Sequence, residues 1–81
     1  MTNREKYIEV FVESLDVEPE EVENLEYQSV VSWDSVGHMG LVAAIEDAFD
    51  IQFETDDIIE FGSFQKGIDI LKKYNVEICA L

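Results

Sequence analysis

The stretch SWDSVGHMGLVAAIEDAFDIQF, residues 32–53, decides how the chain is read. Asp34 has the short acceptor side chain of a helix N-cap, and Val36, Met39, Val42, Ile45 and Phe49 follow at the three- and four-residue spacing of one helical stripe. A helix therefore begins at Ser35 and runs to about Asp50. Ile51 and Phe53 then alternate too briefly to build a sheet, so they are expected to plug the core as an extended link.

Upstream, Tyr7, Ile8, Phe11, Val12 and Leu15 recur at helical spacing, and Thr2 with Glu5 has the form of a capping box, which gives a first helix ending near Asp16. Pro19 lacks the donor that a helix interior needs, so DVEPEEV reads as a stop followed by a short turn. No sustained period runs from Glu23 to Trp33. That segment is a long loop pinned by Val22, Leu25, Tyr27 and Val30. Downstream, Thr55 is placed to cap a short helix holding Ile58 and Ile59, Gly62-Ser63 breaks and recaps the chain, and Phe64, Ile68, Leu71 and Tyr74 line a last helix that Asn75 can end. The fold class is all-α: four helices, three of them main elements and one short, with a long first loop. Phe11, Leu15, Val42, Ile45, Phe49, Ile68 and Leu71 are expected to supply most of the core, which spans about 3–75, and VEICAL, 76–81, is a tail whose aliphatic residues dock or fray.

At 81 residues the chain suits one domain, 1–81, and 47% hydrophobic content gives it enough apolar material to fold as a monomer. The single cysteine, Cys79, forms no intramolecular disulfide and has no basic neighbour to activate it. The first residues lack an apolar signal core and no run approaches a membrane span, so the expected location is the cytoplasm. The net charge of −14 disfavours nucleic acid and anionic membranes as partners. Between Tyr7 and Gln65 lie 16 acids and no base. Such a surface either keeps the protein soluble or attracts basic patches on other proteins.

A serine in the first turn of a helix is often only part of its cap. Asp34 already fills that role, which leaves the Ser35 hydroxyl pointing outwards beside backbone donors and the positive end of the helix dipole, a setting that suits a covalently attached phosphate group. A catalytic Ser35–His38–Asp34 triad is disfavoured. Asp34 is committed to the cap, W-D-S-V-G does not match the G-x-S-x-G elbow, and so small a module has little room for a substrate cleft. A lone histidine also builds no metal site, and none is expected.

Asp34-Ser35, Glu46-Asp47, Phe49, Ile51 and Phe53, the acidic short helix and the last amphipathic helix together resemble the acyl carrier protein family, closely over residues 34–71 and more loosely in the first helix. The resemblance implies a four-helix carrier bundle that is itself no enzyme. It implies that Ser35 accepts 4'-phosphopantetheine from coenzyme A, through a separate phosphopantetheinyl transferase that uses magnesium, and that the arm shuttles acyl or related thioesters between biosynthetic enzymes. It further implies a partner surface of Asp34, Glu46, Asp47, Asp56 and Asp57, with Val36 and Met39 as apolar contacts, facing basic patches on acyl- or aminoacyl-transferring and condensing enzymes.

Three positions depart from the family pattern. Val36 stands where leucine is usual, and Gly37 and Gly40 stand where acidic residues are usual, which removes charge and permits close backbone approach. Trp33 and His38 flank the serine and offer a local recognition feature; for Trp33 the preferred reading is a loop anchor, a partner contact being the other, and His38 stays open between the same readings, an exposed imidazole there serving as a pH-sensitive contact. These departures point to a specialised carrier in an accessory pathway. Its cargo is an acyl chain or, as in D-alanyl and peptidyl carriers, an amino acid. The reading from a different class is an acidic interaction or inhibitor protein in which Ser35 is only structural.

Overall fold

The computed structural model describes residues 2–78. Helix α1 spans Asn3–Leu15 and opens on the expected capping box, with Thr2 Oγ1 accepting from the Glu5 amide at 3.1 Å and Glu5 Oε1 accepting from the Thr2 amide at 3.0 Å. Tyr7, Phe11 and Leu15, four residues apart, form its buried row, and Ile8 and Val12 are half-buried beside it. Asp16, at a left-handed φ of 56°, ends the helix. Pro19–Asn24 is a 3-10 turn with proline at its start and Val22 buried beneath it.

Helix α2 spans Ser35–Phe49, α3 spans Thr55–Glu60 and α4 spans Phe64–Lys72. The described residues are all-α, with one isolated bridge, Glu26–Ser63. That bridge fastens the long loop to the α3–α4 junction, the Tyr27 amide donating to Gly62 O at 2.8 Å and the Phe64 amide to Leu25 O at 3.1 Å. Leu25 and Trp33 are buried and Val30 is half-buried, while Tyr27 stays 38% exposed. Trp33 is therefore a loop anchor. Phe53 is buried and Ile51 half-buried in the link after α2, as their alternation suggested.

Three local expectations are corrected. Thr55 is the first residue of α3 and not its cap; the cap position is Glu54, whose side chain makes no capping bond. Phe49 and Ile68 are only partly buried, whereas Leu41, Phe61 and Ile70 belong to the core. Gly40 has open space around it and serves no close approach. The recapping at Ser63 is observed, its hydroxyl accepting from the Lys66 amide at 2.9 Å. Val76 and Ile78 dock against the core, while Cys79, Ala80 and Leu81 lie outside the described residues.

Phe11 sits at the centre of an aromatic cluster, with ring centroids 5.0 Å from Tyr7, 5.3 Å from Phe64, 5.5 Å from Trp33 and 6.1 Å from Phe61. Burying a ring of this size contributes about 1.5–3 kcal/mol, so the cluster is a main source of stability in a domain this small. It also joins α1 to the loop and to the start of α4. A Cβ on Gly67 would lie 2.0 Å from the Tyr7 hydroxyl, so only glycine lets α4 approach while that hydroxyl donates to Phe64 O at 2.7 Å. Burial raises the Tyr7 phenol well above its ordinary range.

Candidate functional site

Asp34 holds an extended backbone, and its Oδ1 accepts from the Gly37 amide at 2.9 Å while its carbonyl accepts from the His38 amide at 2.7 Å. The cap is thus closed by Asp34 alone. A Cβ on Gly37 would meet Ser32 O at 1.9 Å, so glycine is needed where the loop backbone crosses the first turn of α2. Ser32 is held in turn by its hydroxyl donating to Leu15 O at 2.6 Å.

This bracing leaves Ser35 exposed at the head of α2. The amides of Ser35 and Val36, the first two of the helix, have no partner within it and face the same end. Tyr27 Oη lies 3.4 Å from Ser35 Oγ. Tyr27, Ser35, His38, Met39, Ile58, Ile59, Phe61 and Gly62 line a mainly apolar pocket between α2 and α3. Val36 and Ile59 are 81% and 74% exposed, so the serine stands in an apolar patch.

His38 is not aimed at Ser35. The Trp33 indole, which can only donate, gives its Nε1 hydrogen to His38 Nδ1 at 3.0 Å, and His38 Nε2, 2.8 Å from Ile58 O, then carries the ring proton and donates it there. Both imidazole nitrogens are occupied in holding the loop, α2 and α3 together. The expectation of an exposed histidine is corrected: the residue is half-buried between rings.

The acids expected on a partner surface divide. Asp34, Asp47 and Asp56 are exposed, and Glu46 is half-buried with Oε2 accepting from the Phe53 amide at 2.7 Å. Asp57 does not belong with them. It is 2% exposed, and its carboxylate accepts from Lys73 Nζ and from the Tyr74 hydroxyl, tying α3 to the end of α4. The hydrogen bond from Lys73, then that from Tyr74, holds the Asp57 carboxyl below its ordinary range, and the Asp57 bond raises Lys73. Tyr74 is raised, first by burial and then by Asp57.

Sequence reasoning missed Tyr27, Ile58, Ile59 and Phe61 as neighbours of Ser35. Ile58 and Ile59 sat in a helix already foreseen, but nothing local says that α3 leans on the head of α2.

The chain is 36% identical over 77 residues to the acyl carrier protein of Syntrophus aciditrophicus (strain SB), covering 94% of this chain and 96% of that protein. It is 29% identical over 79 residues to the acyl carrier proteins of Buchnera aphidicola subsp. Acyrthosiphon pisum (strains Tuc7 and APS), covering 95% of this chain and 99% of each. No protein-family model matches the chain, and no solved structure matches it significantly. An exposed serine behind an aspartate cap, an all-α bundle with a long first loop and end-to-end similarity to these relatives lead to one conclusion: this chain belongs to the acyl carrier protein family.

Proposed function

We propose that the protein is a non-catalytic carrier whose Ser35 bears a 4'-phosphopantetheine arm. The observation that carries this reading is the exposed Ser35 hydroxyl, left out of a cap that Asp34 completes by itself. The residues present suit the group. Two first-turn amides and the positive end of α2 face a phosphodiester at Ser35 Oγ, and Tyr27 Oη is near enough to donate to one of its oxygens. Asp34 adds a like charge nearby, but a covalent bond holds the phosphate in place and the Asp34 carboxylate is turned towards the Gly37 amide.

In the transfer step Ser35 loses its hydroxyl proton, Ser35 Oγ bonds to the phosphorus of the pantetheine phosphate, and the adenosine bisphosphate part of coenzyme A leaves. When attached, the arm supplies a terminal thiol that carries cargo as a thioester. The protein's own contribution is to present Ser35 and to be recognised. Asp34, Glu46, Asp47 and Asp56 are proposed as the charged contacts and Val36 and Met39 as the apolar ones, first towards the phosphopantetheinyl transferase and then towards acyl-transferring and condensing enzymes with basic docking patches. Exposed charges of this kind speed association and make it salt-sensitive, which suits brief docking with several partners. Asp57, being buried, takes no part.

The reading is tested by incubating the parent and Ser35→Ala with fluorescently labelled coenzyme A, magnesium and a broad-specificity transferase. Label on the parent alone supports it. Label on neither with a competent transferase, or on both, refutes Ser35 as the attachment site.

A further inference from the structure

The floor of the pocket beside Ser35 is made by His38 and Phe61, and behind them stands Trp33, fully buried. Trp33 and His38 stack with ring planes 16° apart and centroids separated by 6.2 Å, and Phe61 meets them edge-on at 6.1 Å and 5.8 Å. Beyond Trp33 lies Phe11 at 5.5 Å, already the centre of the core. A chain entering from Ser35 therefore meets two layers of rings before it reaches the interior. Turning His38 aside would break its bonds to Trp33 and Ile58, leaving the buried indole hydrogen and a carbonyl of α3 unpaired. The two hydrogen bonds add to the ring packing in holding this wall shut.

We infer that the Trp33–His38 pair, braced on Phe61, sets the size of the cargo: a short acyl group rests in the surface pocket among Tyr27, Met39, Ile58 and Ile59, and a long alkyl chain has no way inward. The inference rests on the carrier reading of Ser35 and goes further by naming a substrate class, short-chain acyl thioesters, and the residues that enforce it. Trp33 and His38 act as specificity-determining residues and touch no reacting atom. Met39 and Ile59, at 54% and 74% exposure, remain partly open to water, so the pocket shields a few carbons well and further ones poorly.

The test loads Ser35 from acetyl-, butanoyl-, octanoyl- and dodecanoyl-coenzyme A with a promiscuous transferase and checks each product by intact mass. Backbone amide NMR shifts, melting temperature and the rate of thioester cleavage by hydroxylamine are then compared along the series. The expected result is shift changes confined to the pocket, near Met39, Ile59 and Gly62, with no rise in melting temperature and cleavage that slows from acetyl to butanoyl but no further from butanoyl to dodecanoyl. Cleavage that slows steadily with chain length, with shifts at Phe11, Val42 and Ile45, overturns the inference while leaving the carrier reading intact. Absence of any loading overturns the carrier reading and this inference with it, and the mass spectrum alone separates the two failures.

His38→Ala opens the floor and is expected to slow cleavage of the octanoyl form several-fold relative to the parent. Equal, fast cleavage in both overturns the assignment to this pair. If His38→Ala does not fold, the length series on the parent decides.

Discussion

Replacing Gly67 by alanine tests how closely α4 and α1 are packed. The new Cβ would lie 2.0 Å from Tyr7 Oη and 2.8 Å from Phe61 Cζ, both buried, so neither neighbour can give way into solvent. Overpacking of this kind costs about 1–3 kcal/mol. Displacing the Tyr7 hydroxyl also breaks its 2.7 Å bond to Phe64 O and leaves buried polar groups unpaired, about 1–3 kcal/mol more. Alanine's better helix propensity returns about 1 kcal/mol. The net loss is about 3 kcal/mol, against the roughly 4–12 kcal/mol expected for 81 residues at about 0.05–0.15 kcal/mol each. In a domain this size that lowers the melting temperature by about 12–24 °C. Gly40→Ala is the matched control, because nothing lies within 4 Å of its would-be Cβ; propensity alone should raise stability by up to about 1 kcal/mol. Circular dichroism melts of the parent and both variants decide the matter. A Gly67→Ala protein as stable as the parent, or a Gly40→Ala protein that loses as much as Gly67→Ala, would refute the packing argument.

Gly37→Ala drives a Cβ against Ser32 O and should disturb the cap in front of Ser35, slowing phosphopantetheinyl transfer by roughly tenfold, the factor that about 1.4 kcal/mol represents; an unchanged transfer rate would count against that bracing. Asp57→Asn should cost about 1–3 kcal/mol near neutral pH, the range for losing a hydrogen-bonded charged partner. Because the folded carboxyl titrates below its ordinary value of 3.8, its contribution is fully present above that pH and is lost as pH falls through the lower folded value. The gap in urea midpoint between parent and Asp57→Asn should therefore close on acidification, and a gap that widens below pH 4 would contradict the assignment. With 16 acids and no base between Tyr7 and Gln65, added salt should raise the parent's melting temperature, and melting curves indifferent to ionic strength would exclude self-repulsion as a significant term.

What the sequence revealed was local. The Thr2–Glu5 box, the Asp34 cap and the Ser63 cap each depend on residues three apart in one segment, so reading the chain in order was enough to find them. Exposure of Ser35 followed from the same logic, since a completed cap has no use for a second hydroxyl. What escaped the reading involves distant segments. Asp56 and Asp57 are adjacent acids in a six-residue helix, too short for periodicity to show which one faces inward, and only Lys73 and Tyr74 of the α4 end make burial of Asp57 tolerable. The sequence places Trp33 and His38 on either side of the serine but does not show that they hydrogen-bond to each other. Their pairing requires the loop to fold back over α2 so that residues on either side of the cap stack. Phe61 entered the core unforeseen for a similar reason: its packing is set by Phe11 and Trp33, far away in sequence.

The most direct test of the central claim is intact-protein mass spectrometry with peptide mapping of the parent, before and after incubation with coenzyme A, magnesium and a competent phosphopantetheinyl transferase. The account predicts a gain of one phosphopantetheinyl group, located on Ser35 and absent from Ser35→Ala. No gain, or a gain mapped to any other residue, would contradict it.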